Sequence, residues 1–219
     1  MHYPEYLKDT IKIFVLSLIF FSVSCKKDPN KQVDEGKVEA GFYHSDDIGW
    51  TMEIPKGWEV MQRDDVQNQS DKGLEAISET IGGEIDLSGL KQLINLKKDR
   101  LHIFLSTSEK FDLTYEGEWE ENNEALKQIL YETYTSKGIK VDTLSSKSTV
   151  DGLDFNVFSI RLYGPDGAVI LYQDMYSKYI NGFDFAATLN YLKPKEKNEI
   201  MRAWKSSKFN QKVLLNNKS

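Results

Sequence analysis

The second half of the chain carries three explicit chain reversals. They are Val150-Asp151-Gly152-Leu153, Gly164-Pro165-Asp166-Gly167 and Ile180-Asn181-Gly182-Phe183, each set between strand-like runs. Asp-Gly and Asn-Gly supply the two positive φ angles that a type I′ turn needs, so they signal tight hairpins. Hairpins in series commit this stretch to an antiparallel meander. Phe183, Phe185, Ala187, Leu189 and Tyr191 alternate strictly with other residues, as a strand with one apolar face does. Phe155 and Val157 instead give way to Phe158, Ile160 and Leu162, apolar on both faces. A strand of that kind is central and covered on both sides.

The remaining elements follow from periodicity and punctuation. Trp50, Met52 and Ile54 alternate with Thr51 and Glu53, Pro55-Lys56-Gly57 makes a turn, and Trp58 and Val60 begin a partner strand. Asp71 to Ile81 reads as a short helix stopped by Gly82-Gly83, and His102 to Thr107 as a strand, while Leu87 to Leu96 is ambiguous. Glu118 to Lys137 is the clearest helix, with Trp119, Leu126, Ile129, Leu130 and Thr133 at helical spacing and Gly138 as its cap. Lys193-Pro194 opens a last helix that turns Ile200, Ala203 and Trp204 inward.

The N-terminus carries an address. Lys8 and Lys12 precede the apolar run from Ile13 to Val23, and Ser22-Val23-Ser24 leads into Cys25, the single cysteine of the chain. A charged start, a short apolar run and small residues before a cut site are the parts of a secretory signal. The run is too short for a transmembrane helix, which needs ~20 residues. A cysteine placed first after the cut resembles the lipobox of bacterial lipoproteins, although Ser22 stands where Leu, Ile or Val is usual. That resemblance implies a diacylglycerol thioether on Cys25, with palmitate-like chains holding the protein in a membrane. Residues 26–40 are charged and poor in large apolar side chains, the composition of a flexible tether. The chain therefore divides into a signal peptide over 1–24, lipidated Cys25 with its linker over 25–40, one domain over 41–211 and a C-terminal tail over 212–219.

Two segments resemble the PsbP-like family. One is the opening Gly49-Trp50-Thr51-Met52-Glu53-Ile54-Pro55-Lys56-Gly57-Trp58. The other is the closing strand from Phe183 to Tyr191, followed by a helix and Ser207-Lys208-Phe209. The resemblance implies an α/β (α+β) fold, an antiparallel sheet with helices packed on both faces as an α/β/α sandwich. It also implies binding to a partner in place of chemistry, since relatives include photosystem accessory subunits, a Ran-binding transport factor and envelope lipoproteins. No catalytic motif comes with it.

Charge and motifs narrow the remaining choices. The net charge is −6 and the only arginines are Arg63, Arg100, Arg161 and Arg202, which gives no footprint for nucleic acid. Loss of residues 1–24 removes two lysines and two carboxylates and leaves the charge unchanged. With Cys25 consumed, the domain has no thiol for a disulfide or a thiolate metal site. His44 beside Asp46 and Asp47 could bind a cation weakly, but the stretch also reads as a solvated turn. His102 reads as a structural residue. Glu118, Glu120, Glu121 and Glu124 suit the positive end of a helix dipole as well as they suit a cation. No Gly-x-Ser-x-Gly elbow or phosphate loop occurs, so no catalytic, cofactor or metal residue is assigned, and Cys25 is the one assigned site. Tyr163, Tyr172, Tyr176, Tyr179 and Tyr191 could form an aromatic recognition surface, or could lie under a helix. The expectation is a lipid-anchored, non-enzymatic binding or accessory module on the bacterial outer membrane, facing the periplasm or the cell surface. Lys26 stands where an aspartate would retain it at the inner membrane. An envelope protein is the expected partner. A hydrolase of envelope glycan or peptide and a chaperone-like assembly factor are the alternatives.

Overall fold

The computed structural model describes residues 28–83, 86–195 and 197–210. The signal segment, Cys25 and the tail 212–219 lie outside the described residues. The elements in order begin with a 3-10 turn, Pro29–Lys31, and the strands β1 (Lys37–Glu39), β2 (Phe42–Ser45), β3 (Trp50–Glu53) and β4 (Glu59–Val60). Helix α1 (Arg63–Ile81), β5 (Lys91–Gln92), β6 (Leu96–Lys97), β7 (Ile103–Lys110) and helix α2 (Glu118–Ser136) follow. The meander β8 (Val141–Val150), β9 (Leu153–Tyr163), β10 (Val169–Ile180) and β11 (Phe183–Tyr191) leads to helix α3 (Asn198–Lys205) and β12 (Lys208–Phe209).

The strands form two antiparallel sheets. The larger runs β4-β6-β7-β11-β10-β9-β8, with β5 also on β7, and the smaller runs β1-β2-β3-β12. The three reversals fall where their residues demand. Asp151 and Gly152 take φ of 49° and 78°, and Asn181 and Gly182 take 53° and 86°, as type I′ hairpins require.

Strand β9 shows why the meander is covered twice. Phe155 and Val157 belong to the main core with the small sheet and α3, whereas Phe158, Ile160 and Leu162 join Leu130 and Tyr134 of α2. The main core is aromatic and dense. Trp204 of α3 lies 5.3 Å from both Phe155 and Tyr176, and Trp50 of β3 lies 5.2 Å from Phe185. The layers are thus α1 and α2, then the large sheet, then the small sheet beside α3. Helices sit on both faces, as the α/β/α sandwich expected from the sequence requires.

Several boundaries move for physical reasons. Helix α1 begins at Arg63, eight residues before Asp71, because Asp64 and Asp65 favour the positive helix end. Its first turns are polar apart from Val66, so periodicity did not mark them. Trp58 and Val60 do not return along β3; β4 leaves for β6 of the large sheet, and β12 takes the free edge of β3. Pro194 precedes α3 without entering it. Leu126 of α2 points outward while Asn123 points in, where it donates from Nδ2 to Ser177 Oγ at 2.9 Å.

Residues 28–40, whose composition reads as tether, are built into the domain. Val33 and Gln32 are buried. The Asn30 side chain bonds both the N–H and the carbonyl of Val38 at 2.6 and 3.1 Å, and β1 pairs with β2. The Glu35 carboxylate accepts from Ser45 Oγ at 2.6 Å and from the N–H groups of Asp46 and Asp47. Polar side chains of this kind look like linker by composition, yet here their partners are backbone groups of the fold.

Candidate functional site

The large sheet is not covered to its end. Beyond α3 its inner face opens into a groove of about 370 Å³, within the range of small-molecule and peptide subsites. Strands β8 to β11 supply the floor and one wall through Asp142, Leu144, Ser159, Arg161, Tyr172, Asp174 and Tyr191. The approach to α3 supplies the other wall through Pro194 and Lys197. Antiparallel register sets the floor: Asp174 faces Ser159 of β9 and Leu189 of β11, and Tyr172 faces Arg161 and Tyr191.

Asp174 is the anchor of this floor and is only 6% exposed. Its carboxylate accepts from Ser159 Oγ at 2.6 Å, Tyr191 Oη at 2.9 Å and Lys197 Nζ at 3.1 Å. A buried carboxylate tolerates its loss of water only when charge and hydrogen bonds are both answered, and both are answered here. The Lys197 ammonium also sits 5.0 Å from the centre of the Tyr191 ring, a cation–π contact. Tyr172 and Tyr191 stack with 5.2 Å between centroids and 3° between planes. Burial pushes the Tyr191 hydroxyl far above the usual phenol range, and the Asp174 charge adds to it. Burial, again helped by Asp174, pushes Tyr176 up to about 12. Both hydroxyls therefore stay protonated and act as donors or acceptors, not as bases. The arrangement can present an aromatic pair flanked by Arg161 and Lys197.

The five tyrosines divide. Tyr163, Tyr172, Tyr176 and Tyr191 share the groove side of the sheet, while Tyr179 lies on the opposite face with its ring 6.2 Å from Phe111. Tyr176 is covered by Trp204 of α3 and Tyr191 is buried, so the open part of the row is Tyr163 and Tyr172. Asp174 and Lys197 were not singled out from the sequence. Asp174 lies between Tyr172 and Tyr176 at period two, which puts a charge on an aromatic face, and that was the available signal.

The other candidates have structural partners. His44 Nδ1 lies 3.1 Å from Thr51 Oγ1, and Asp47 pairs with Lys91 at 2.8 Å, so the His44-Asp46-Asp47 stretch is a turn held by Glu35. His102 is buried with its Nδ1 2.7 Å from Asp99. At the start of α2, Glu118 accepts from the Thr114 N–H and hydroxyl, Glu121 from Tyr115, and Glu124 from Lys127. Among the described residues no group of three or more His, Cys, Asp or Glu side chains is placed to hold a metal. Cys25 lies outside them.

On the helix-covered face, Glu109 and Asp184 stand directly opposite each other on β7 and β11. Burial raises both carboxyls above their usual range, and Asp184 raises Glu109 further. Trp119 Nε1 donates to Asp184 Oδ1 at 2.8 Å and partly offsets that shift.

No family model matches the chain and no curated protein matches it in sequence. Among solved structures, it is similar to cyanobacterial PsbP (CyanoP) from Synechocystis sp. PCC 6803, a solution structure. The likeness covers 80% of this chain and 96% of that one at 10% identity, with a TM-score of 0.50. At that identity the likeness shows the fold alone: this chain has a PsbP-like fold.

Proposed function

We propose that the chain is a non-enzymatic binding module of the bacterial envelope, held on the outer membrane by lipid on Cys25. The observation that carries the binding part is the open groove at Asp174, with its stacked Tyr172 and Tyr191 and its flanking Arg161 and Lys197. A preformed polar floor beside a half-buried aromatic pair suits recognition, and its phenols are held protonated. The anchoring part rests on the signal and on Cys25. Among the described residues no helix is long and apolar enough to cross a membrane.

The built-in N-terminal segment changes how such an anchor would act. Cys25 stands three positions before Asp28, so the lipidated residue lies at most ~10 Å from the domain. The module would rest against the bilayer instead of standing clear of it. Asp34 joins β5 through the Gln92 backbone, so this end lies on the β5–β7 side of the large sheet. The groove spans β11 to β8, and its β8 rim lies four strand spacings or roughly 20 Å from β7. It would therefore remain open to a partner.

The test uses cells producing the full chain. Fatty-acid label should enter the wild type and be absent from Cys25→Ala, which should be released from the membrane fraction. Equal labelling of the two would refute the anchor. A photo-crosslinker at Leu144 on the groove rim should give a discrete adduct in the envelope that Tyr172→Ala with Arg161→Glu removes. Turnover of purified envelope polymer by the full chain, abolished by Asp174→Asn, would instead establish the hydrolase.

A further inference from the structure

The edge of the large sheet next to this groove is unusual. Strand β8 is ten residues long, and 142–147 are all exposed. It holds continuous register with β9 from Val141 to Val150 without a bulge, and it contains neither proline nor glycine. Natural sheets blunt such edges with short strands, bulges, prolines or several lysines. The opposite edge of this sheet, β4, obeys that rule at two residues. Strand β8 carries Lys147 alone.

The hairpin fixes which backbone groups are free. In a two-residue type I′ loop the flanking residues, here Val150 and Leu153, exchange both of their hydrogen bonds. Bonded and non-bonded pairs then alternate along the ladder, so even-numbered residues of β8 turn their backbone toward β9. Thr143, Ser145 and Lys147 turn N–H and C=O outward, where the described sheet offers no strand to meet them. A row of alternating donors and acceptors at strand spacing is complementary to one thing, another extended chain.

We infer that β8 is a docking edge for an extended peptide segment of another protein, which adds antiparallel to the sheet as a further strand. The inference rests on the binding-module reading and names the partner's form. Side chains give its chemistry. Leu144 is 62% exposed on the groove face, and an apolar residue directly opposite would cover it. Lys147 is exposed on the other face, and an acidic residue opposite would pair with it. Asp142 already faces Arg161 across the ladder and asks for nothing more. In an antiparallel peptide the residue opposite Lys147 comes three positions before the residue opposite Leu144. The preferred segment is therefore strand-forming, with an acidic residue three places ahead of an apolar one.

The experiment selects a phage-displayed library of random linear peptides on the immobilised full chain in detergent. Enriched peptides should share that acidic-to-apolar spacing and should protect the amides of Thr143, Ser145 and Lys147 from hydrogen exchange. Ser145→Pro removes an outward N–H while leaving the β8–β9 ladder intact, as proline at a solvent-facing edge position does. Binding should fall at least tenfold in that variant while its thermal unfolding stays cooperative. Lys147→Glu keeps the backbone and should exchange the acidic preference for a basic one, a change that misfolding would not produce. The inference is overturned if no peptide is enriched, or if the enriched peptides bind Ser145→Pro as well as wild type. A wild-type dimer that Ser145→Pro dissociates would overturn it too, by making a second copy the occupant. None of these readings depends on lipid, so loss of fatty-acid labelling with peptide binding retained would sink the anchor and spare the edge.

Discussion

Asp174 illustrates how one buried charge organises a surface. Three donors from β9, β11 and the approach to α3 converge on it, so its removal strands a lysine, a serine and a tyrosine together. Lys197 keeps some contact with solvent. We therefore expect Asp174→Ala to cost about 2–3 kcal/mol, below the 3–5 typical of a fully buried pair. Asp174→Asn should cost less. Urea unfolding with unchanged m-value would check both. Asp184 offers the opposite sign. Its folded carboxyl is raised by burial, so the native state holds its proton more tightly than the unfolded chain. Its stabilising effect is complete below the ordinary carboxylate range near pH 4 and is lost as pH rises through the raised value. Asp184→Asn keeps an acceptor for Trp119 and removes the titration. Its stability should decline less than that of wild type as pH rises above about 4, which denaturant midpoints across pH would show.

The hairpin turns carry more than their turn geometry. Asp151 was legible as a residue that tolerates positive φ, but its carboxylate also accepts from the Phe209 N–H and Lys208 Nζ, both at 2.8 Å. Asn181 likewise donates to the Ile48 carbonyl at 2.8 Å. Two turns of the large sheet thus clamp two strand ends of the small one. These roles were illegible because the partners lie 58 and 133 residues away. Glycines separate conformational cost from steric cost. A Cβ at Gly152 would meet open space, so Gly152→Ala should cost about 1 kcal/mol from its positive φ alone. A Cβ at Gly49 would lie 2.2 Å from the Asn210 carbonyl oxygen, so Gly49→Ala should cost clearly more and loosen β12 from β3. Thermal melts of the two variants side by side would show the order.

For the molecule as a whole, the aromatic core and the N-terminal segment decide where stability resides. Trp204 is fully buried among rings from six strands, and Trp204→Ala should cost about 3–5 kcal/mol. Against a total of about 5–15 kcal/mol for a domain, that change leaves little margin. A chain begun at residue 41 should be less stable than one begun at 26, because it lacks Val33, the Glu35 carboxylate and the β1 partner of β2; parallel urea titrations would check this. The sequence by itself determined the local structure: the turns, the two-faced strand β9 and the inward face of α3. Backbone preference and side-chain periodicity act over a few residues, so one chain suffices to read them. Only the tertiary structure decided that β4 and β12 exchange places beside β3, that residues 28–40 belong to the domain, and that Asp174, Arg161 and Lys197 meet at one groove. Those outcomes depend on which distant groups satisfy a buried charge or a free backbone edge, and that competition is settled only when the layers pack.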